Sequence, residues 1–462
     1  MPPSPVPAVA HPAVRRSDFP ADFLFGAATA SYQIEGAVAE DGRAPSIWDT
    51  FSRTPGKVKN GDHGDVACDH YHLWAQDLDL MKTLGFNAYR FSVAWPRVVP
   101  AGRGAVNAKG LDFYDRLVDG CLARGLSPHV TLYHWDLPQA LQDEGGWMRR
   151  ETAYAMADYA RAVAQRLGDR VASWATHNEP FCAGFLGHAF GMHAPGLYDL
   201  EGSLVAVHHL LLSHGLSVQA VRGVLPRARV GIVNNPAPIH PATDRPEDHA
   251  AARRMDAMRN RLFFDPVFGL GYPEELEGRR GGAGHLEAAI RPGDLAVMAQ
   301  PIDWVGVNFY NRHLVTYAPE DHGFVQARFV KTDEPHTALG WEVYPDALRE
   351  VLVRIHRDWK PKALVVTENG AAYEDVAGAG DRVEDEDRRR YLESHLAACR
   401  DALREGVPLQ GYLVWTLVDN FEWAEGYAAR FGIVRMAVPG GPRMVKASGE
   451  WYGRFLRGEL ER

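Results

Sequence analysis

The chain has 462 residues, 46% of them hydrophobic and 24% charged, with a formal net charge of −9. That composition is globular and long enough to bury a large core, and its acidic excess argues against nucleic acid and against an anionic membrane surface as partners. The cysteines, Cys68, Cys121, Cys182 and Cys399, are far apart and form no C-x-x-C, so reduced thiols in a cytosolic protein are expected, with neither a disulfide framework nor a zinc site.

Residues 1–17 read as a flexible tail rich in Pro and Ala. They lack the apolar run of a secretory signal, and no apolar stretch on the order of 18 residues is evident, so a cytoplasmic location is expected. Phe23 to Ala30 is the first strand, with Gln33 and Glu35 beyond it, followed by a Gly- and Asp-rich loop over 36–66. Trp74, Leu78 and Met81 have helical spacing, closed by Gly85. Asn87 to Ser92 is strand two and carries Arg90. Leu111, Tyr114, Val118 and Cys121 mark a helical face, and Pro128 to Tyr133 is strand three, ending in His134-Trp135-Asp136. Met156, Ala160, Val163 and Leu167 form the next stripe. Strand four, Trp174-Ala175-Thr176-His177-Asn178, stops at Glu179.

Leu204 to Val224 is a long helix. Arg229 to Asn234 is strand five, and Ile302 to Val307 is strand six, ending in Asn308-Phe309-Tyr310. After a helix over Ala347 to Ile355, Leu364-Val365-Val366-Thr367 is strand seven and stops at Glu368 before Asn369-Gly370, a turn signal. Asp385 is placed to cap a helix carrying Leu392, Leu396, Cys399 and Leu403. Gly411 to Trp415 is strand eight, followed by Asp419 through Trp423.

Eight strands alternating with helices, with no second compositional block, predict an α/β fold: a single (β/α)8 TIM barrel over 18–457 with long strand-to-helix loops and a short tail at 458–462. An open doubly wound sheet is the rival, but no G-x-G-x-x-G or G-x-x-x-x-G-K-[ST] follows any strand. Chemistry in such barrels sits at the C-terminal strand ends, and these ends are polar or aromatic throughout. They offer no phosphate-binding glycines or cation cluster.

Two glutamates at distant strand tips suit cleavage of a glycosidic bond, in which a neutral acid protonates the leaving oxygen and a carboxylate attacks the sugar. Arg90 and Tyr310 are available to hold Glu368 as an anion and lower its pKa, whereas Glu179 has no sequence-adjacent cation. Glu368 is therefore expected to be the nucleophile and Glu179 the acid/base, about 5–5.5 Å apart. Gln33, His134, Asn178 and Glu422 can bond sugar hydroxyls, and Trp415 and Trp423 can stack on the ring. Alone, each residue has a plainer explanation: a solvated carboxylate, a structural histidine, a core tryptophan, a buried ion pair at Arg90, or rim hydrogen bonds at Gln33, Asn178, Asn308 and Tyr310. Their recurrence at corresponding places favours a site. His63, His70 and His72, interleaved with Asp62, Asp65 and Asp69, raise a metal reading, but no H-E-x-x-H or tetrahedral spacing supports it. No cofactor or metal is expected. The run Arg382 to Arg390 reads as a helix start with a solvated face.

The assembled stretches resemble glycoside hydrolase family 1, the β-glucosidase family, from Phe19 to Phe455. The resemblance is carried by Gly26 to Gly36, Tyr133-His134-Trp135-Asp136, Thr176-His177-Asn178-Glu179-Pro180, Val307-Asn308-Phe309-Tyr310, Thr367-Glu368-Asn369-Gly370, and Trp415 with Asp419 to Tyr427. It implies a retaining β-glycosidase with Glu179 as acid/base and Glu368 as nucleophile, acting on a β-glucoside or cello-oligosaccharide. It implies that Gln33, His134, Asn178, Glu422 and Trp423 bind the glycone, with Trp415 beneath the ring, Trp341 on the aglycone side and Phe431 closing the pocket. Glu422-Trp423 disfavours a 6-phosphosugar, and Glu179 disfavours the thioglucosidase branch. A broader β-galactosidase or β-fucosidase, a transglycosylase, and a sugar-binding protein without turnover are the alternatives. The chain departs from the family pattern at 435–446, and the Gly/Arg-rich loop 278–284 falls where leaving-group preference varies.

Overall fold

The computed structural model describes residues 13–276, 283–321, 325–378 and 382–461. Among them eight parallel strands close a barrel: β1 (Leu24–Ala28), β2 (Ala88–Ser92), β3 (Ser127–Tyr133), β4 (Ser173–Asn178), β5 (Val230–Asn234), β6 (Trp304–Phe309), β7 (Leu364–Asn369) and β8 (Leu409–Val414). The order around it is β1-β8-β7-β6-β5-β4-β3-β2, so every strand pairs with its neighbours in the chain and β8 closes on β1. β2, β4, β5, β6 and β7 are buried along their whole length. That is why they read as continuous apolar runs rather than alternating ones. The expected TIM barrel is the fold observed.

The surrounding helices bury one face each. In Asp346–Trp359 that face is Ala347, Leu348, Val351, Leu352, Ile355 and Trp359. His70–Leu84 ends at Gly85, whose φ of 90° is the left-handed conformation that favours glycine at a helix terminus. Leu200–Val224 is long and apolar enough to cross a bilayer, contrary to the expectation of no such stretch. Within its most apolar window 83% of residues are buried in the fold, so it is a core helix.

Several local expectations change. The predicted tail falls on residues 1–12, outside the described residues, and on 13–17, which dock: Val14 is buried, Arg16 lies 5.0 Å from the centre of the Phe25 ring, and the Ser17 amide donates to Glu461 at 3.1 Å. The loop 36–66 contains a helix, Ile47–Ser52, started by a capping box between Ser46 and Asp49. That S-x-x-D spacing is a sequence signal. Asp385 precedes Glu386–Arg404 but does not cap it; its carboxylate accepts from the Ser448 amide at 2.8 Å and from Arg388. Arg388, predicted to be on a solvated face, is buried between Asp385 and Asp375. His70 pairs with Asp77 at 2.7 Å and His72 with Asp69 at 2.5 Å.

The divergent segment 435–446 completes an antiparallel hairpin of Val434–Met436 with Arg443–Val445. Arg443 bonds Asp77 at 2.8 Å, and the fully buried Lys446 bonds Asp419 at 2.8 Å and also Asp375. Lys446 thus ties the C-terminal hairpin to the loop after β8. Replacing it by Met would leave two buried carboxylates short of a cation. Lys446→Met is expected to lower the free energy of unfolding by about 3–5 kcal/mol, read as an earlier denaturation midpoint; an unchanged midpoint would contradict this weight for the network.

Candidate active site

The strand tips surround a cavity of about 1060 Å³ whose wall includes His134, Glu179, Tyr310, Trp341, Glu368, Trp415, Glu422, Trp423 and Phe431. Gln33, Arg90, Asn178 and Asn308 stand behind that wall and hold its side chains. Both glutamates therefore face one cavity.

Local irregularities aim them. The β4–β5 register shifts between Ala175 and Asn178, and the β7–β6 register shifts between Val366 and Glu368. Such shifts redirect side chains that a regular pleat would send elsewhere. Glu179, Trp135 and Trp423 have φ of 48°, 73° and 49°, a conformation uncommon for residues other than glycine and concentrated at functional sites. Asn369-Gly370 is explained by space: a Cβ on Gly370 would come within 1.7 Å of the Trp415 carbonyl oxygen.

Arg90 is the hub. Its Nη1 donates to Glu368 Oε1 at 2.6 Å, its Nη2 to Asn178 Oδ1 at 2.7 Å, and its Nε to Thr131 Oγ1 at 3.0 Å. The Tyr310 hydroxyl donates to Glu368 Oε2 at 2.7 Å. Glu179 is held by neutral donors instead: Asn308 Nδ2 at 2.5 Å on Oε1 and the Cys182 thiol at 2.9 Å on Oε2. Asn308 also donates to Asn178 Oδ1 at 2.9 Å and accepts from Thr367 at 2.7 Å.

The remaining polar groups retain bonding capacity. Asn178 Nδ2 lies 3.0 Å from His134 Nε2. With Nε2 accepting, the imidazole proton sits on Nδ1, which is buried and without a partner. Burial and the nearby Arg90 hold His134 well below the usual histidine range, so the ring is neutral. Gln33 Nε2 donates to the Phe421 carbonyl at 2.9 Å and to Glu422 at 3.3 Å, while its Oε1 has no partner. The His134 ring stacks between Trp415 (6.1 Å) and Trp423 (5.9 Å). Tyr310, Trp341 and Phe431 form an aromatic cluster, with Tyr310 and Trp341 ring centres 5.2 Å apart.

The electrostatics correct one expectation. Arg90 does not bring Glu368 below the ordinary carboxylate range. Burial outweighs it, the charge of Glu179 adds to the rise, and Glu368 is pushed up to about 7. Burial also raises Glu179, against its bonds from Cys182 and Asn308, and raises Glu422 to about 8 with help from the Glu368 charge. The site therefore disfavours accumulating negative charge, and the first carboxylate to ionise is favoured beside the Arg90 cation.

The structure brings together every residue predicted for the site. Sequence reasoning passed over Thr131, Cys182, Asn235 and Arg259. The first lies two residues before Tyr133 on β3; Cys182 is three residues past Glu179, one helical turn; the last two reach the wall from the loop after β5 and from the helix after Asp256, with no local signal.

The Glycosyl hydrolase family 1 profile matches residues 15–459. The chain belongs to that family. It is 46% identical to "Beta-glucosidase A" of Thermotoga maritima over 95% of this chain and 98% of that protein. It is also 46% identical to the "Bifunctional beta-D-glucosidase/beta-D-fucosidase" of Bifidobacterium breve, over 95% and 98% of the two chains. Among solved structures, the T. maritima family 1 β-glucosidase superposes with a TM-score of 0.91 in complex with glucoimidazole, at 46% identity over 95% of this chain and 98% of that one.

With Glu368 as the proposed nucleophile, which attacks as an anion, activity of this family 1 site is expected to fall as pH drops through its titration. Tyr310→Phe removes a donor to that anion. The acid limb of kcat/KM is expected to move up by about one pH unit, and an unmoved limb would show that the phenol does not support the carboxylate.

Proposed function

We propose that this protein is a retaining β-glycosidase, a β-glucosidase, that removes terminal non-reducing β-D-glucosyl residues by double displacement. The observation that carries this is the asymmetry of two carboxyls facing one cavity: Glu368 is held by a cation and a phenol, Glu179 by a thiol and an amide. Glu368 attacks the anomeric carbon while protonated Glu179 gives its proton to the leaving oxygen. Once Glu368 is esterified its charge is gone, and Glu179, now ionised, takes a proton from the water that releases the sugar.

The partnerless Nδ1–H of His134 and Oε1 of Gln33 are a donor and an acceptor for glycone hydroxyls. The second hydrogen of Asn178 Nδ2 and the raised carboxyl of Glu422, able to donate as well as accept, add to them. Trp415 and Trp423 supply the apolar platform, with Phe431 against the glycone. Trp341, tilted against Tyr310, faces the aglycone. Family relatives named as β-glucosidases support a glucoside, and others named "1,4-beta-D-glucan glucohydrolase" in Thermotoga neapolitana support cello-oligosaccharides. The four cysteines are buried free thiols, in keeping with the reducing cytoplasm proposed as its location.

Four measurements test this reading. Proton NMR of a β-glucoside reaction should show the β-anomer of glucose first; α-glucose first would rule out retention. Glu368→Ala should abolish turnover and regain it with azide as the α-glycosyl azide. Glu179→Ala should cut kcat/KM by about 10²–10⁴-fold on poor leaving groups and far less for nitrophenolate during bond cleavage; equal losses would contradict the acid/base assignment. A panel of nitrophenyl glucoside, galactoside and fucoside should give the highest kcat/KM with the glucoside.

A further inference from the structure

The thiol of Cys182 has a place in this site that packing does not require. It is buried on the turn that follows Glu179 and lines the cavity. Its S–H donates to Glu179 Oε2 at 2.9 Å, and its sulfur accepts from Asn235 Nδ2 at 3.3 Å. The Arg259 guanidinium, 3.9 Å from the centre of the Phe181 ring, lies against the same sulfur, and its Nε and Nη1 are buried without partners. Asn235 comes from the loop after β5 and Arg259 from the segment Ala257–Arg261. Three separate elements thus meet at one sulfur, and that sulfur bonds one oxygen of one carboxyl.

Given Glu179 as acid/base, we propose that Cys182 is a positioning residue: anchored by Asn235 and backed by Arg259, it fixes the rotation of the Glu179 carboxyl while leaving that carboxyl able to exist in both protonation states. A general acid that later serves as base must change charge within each turnover. Strong donors on both oxygens would trap the anion, while no donor on Oε2 would leave the carboxyl free to turn. A thiol is a weak donor, so it orients the group at little cost to the neutral form. Burial holds the Cys182 thiol well above its ordinary range, so it stays protonated and able to donate. The groups that face Glu179 are Asn308 from β6, Cys182 on its own segment, the Arg259 and Arg90 cations, the Glu368 and Glu422 carboxyls and the Tyr310 phenol. Of these, Asn308 and Cys182 are the neutral hydrogen-bond donors to the carboxyl; Asn308 also bonds Asn178 and Thr367, so Cys182 is the one whose substitution changes a hydrogen bond to Glu179 without disturbing the Arg90 network or the charge of the site.

The alkaline limb of kcat/KM reports loss of the proton from the acid/base. A hydroxyl is the stronger donor to the anion, so Cys182→Ser should move this limb down, and Cys182→Ala should move it up. Cys182→Ala should also lower kcat/KM about tenfold on cellobiose and less on dinitrophenyl glucoside, as a fraction of the general-acid contribution. Equal losses on both substrates with the limb unmoved in both variants would reduce Cys182 to packing and overturn the proposal.

Infrared difference spectra of the parent against Cys182→Ser isolate the Cys182 S–H stretch and serve even where Cys182→Ala folds poorly. The band should lie below that of an unbonded thiol and shift as pH rises through the Glu179 titration; an unbonded, pH-independent band overturns the proposal. Glu179→Gln in parallel separates the two layers of the argument. If it keeps the alkaline limb and full activity on cellobiose, the acid/base assignment fails, and the thiol role falls with it. A bonded S–H band in the parent would then show that the contact itself is sound.

Discussion

The Arg90 guanidinium is the constraint on which the site depends. From β2 it reaches Thr131 on β3, Asn178 on β4 and Glu368 on β7, so one side chain ties three other strands to its own at the top of the barrel. A guanidinium suits this role because its planar fork presents several donors in fixed directions. Its buried charge is also the nearest compensation for a carboxylate in a cavity that opposes charge. Asn178 passes the order outward by accepting from both Arg90 and Asn308 and bonding His134, so the positions of the two glutamates and of the His134 imidazole are not independent.

The two carboxyls are supported by different parts of the molecule. Glu368 is held from β2 and from the residue following β6. Of the two side chains that bond the Glu179 carboxyl, Asn308 is on a barrel strand, whereas Cys182 and the groups behind it come from segments beyond the strands. A nucleophile needs a fixed position and one dominant charge state before attack. An acid/base needs to change protonation, and neighbours that carry no opposite charge in direct contact permit that. With Glu368 as the proposed nucleophile and Glu179 as the proposed acid/base, the asymmetry of support follows the asymmetry of task.

Much of this was legible in the sequence because buried parallel strands are apolar until they stop, and the residue at which they stop is conspicuous. Glu179, Glu368, Asn308 and Arg90 were visible for that reason, as was the order of the eight strands. Three things were not. The pKa of Glu368 depends on burial competing with Arg90, and burial of a strand-tip carboxylate is set by loops such as Ile47–Ser52, which places Trp48 4.5 Å from Trp423. The roles of Arg388, Asp385 and Lys446 depend on a C-terminal hairpin that brings chain-distant charges together, so a mixed-charge run looked solvated. The contact of Cys182 with Glu179 depends on the left-handed turn at Glu179 itself, which no periodicity encodes.

That turn connects backbone conformation to chemistry. With φ of 48° at Glu179, the chain leaves β4 and enters the following helical segment at once, so Cys182 arrives beside the carboxyl after one turn. An extended residue at 179 would carry the chain onward, away from Asn235 and Arg259, and the acid/base would retain Asn308 alone. The unfavourable conformation, of order 1–3 kcal/mol at such positions, is offset by the Glu179 amide bonding the Val233 carbonyl at 2.8 Å and by the bonds to both carboxyl oxygens. The strain is therefore local to the residue whose direction matters most, and the contacts that stabilise it are the contacts that orient its proton.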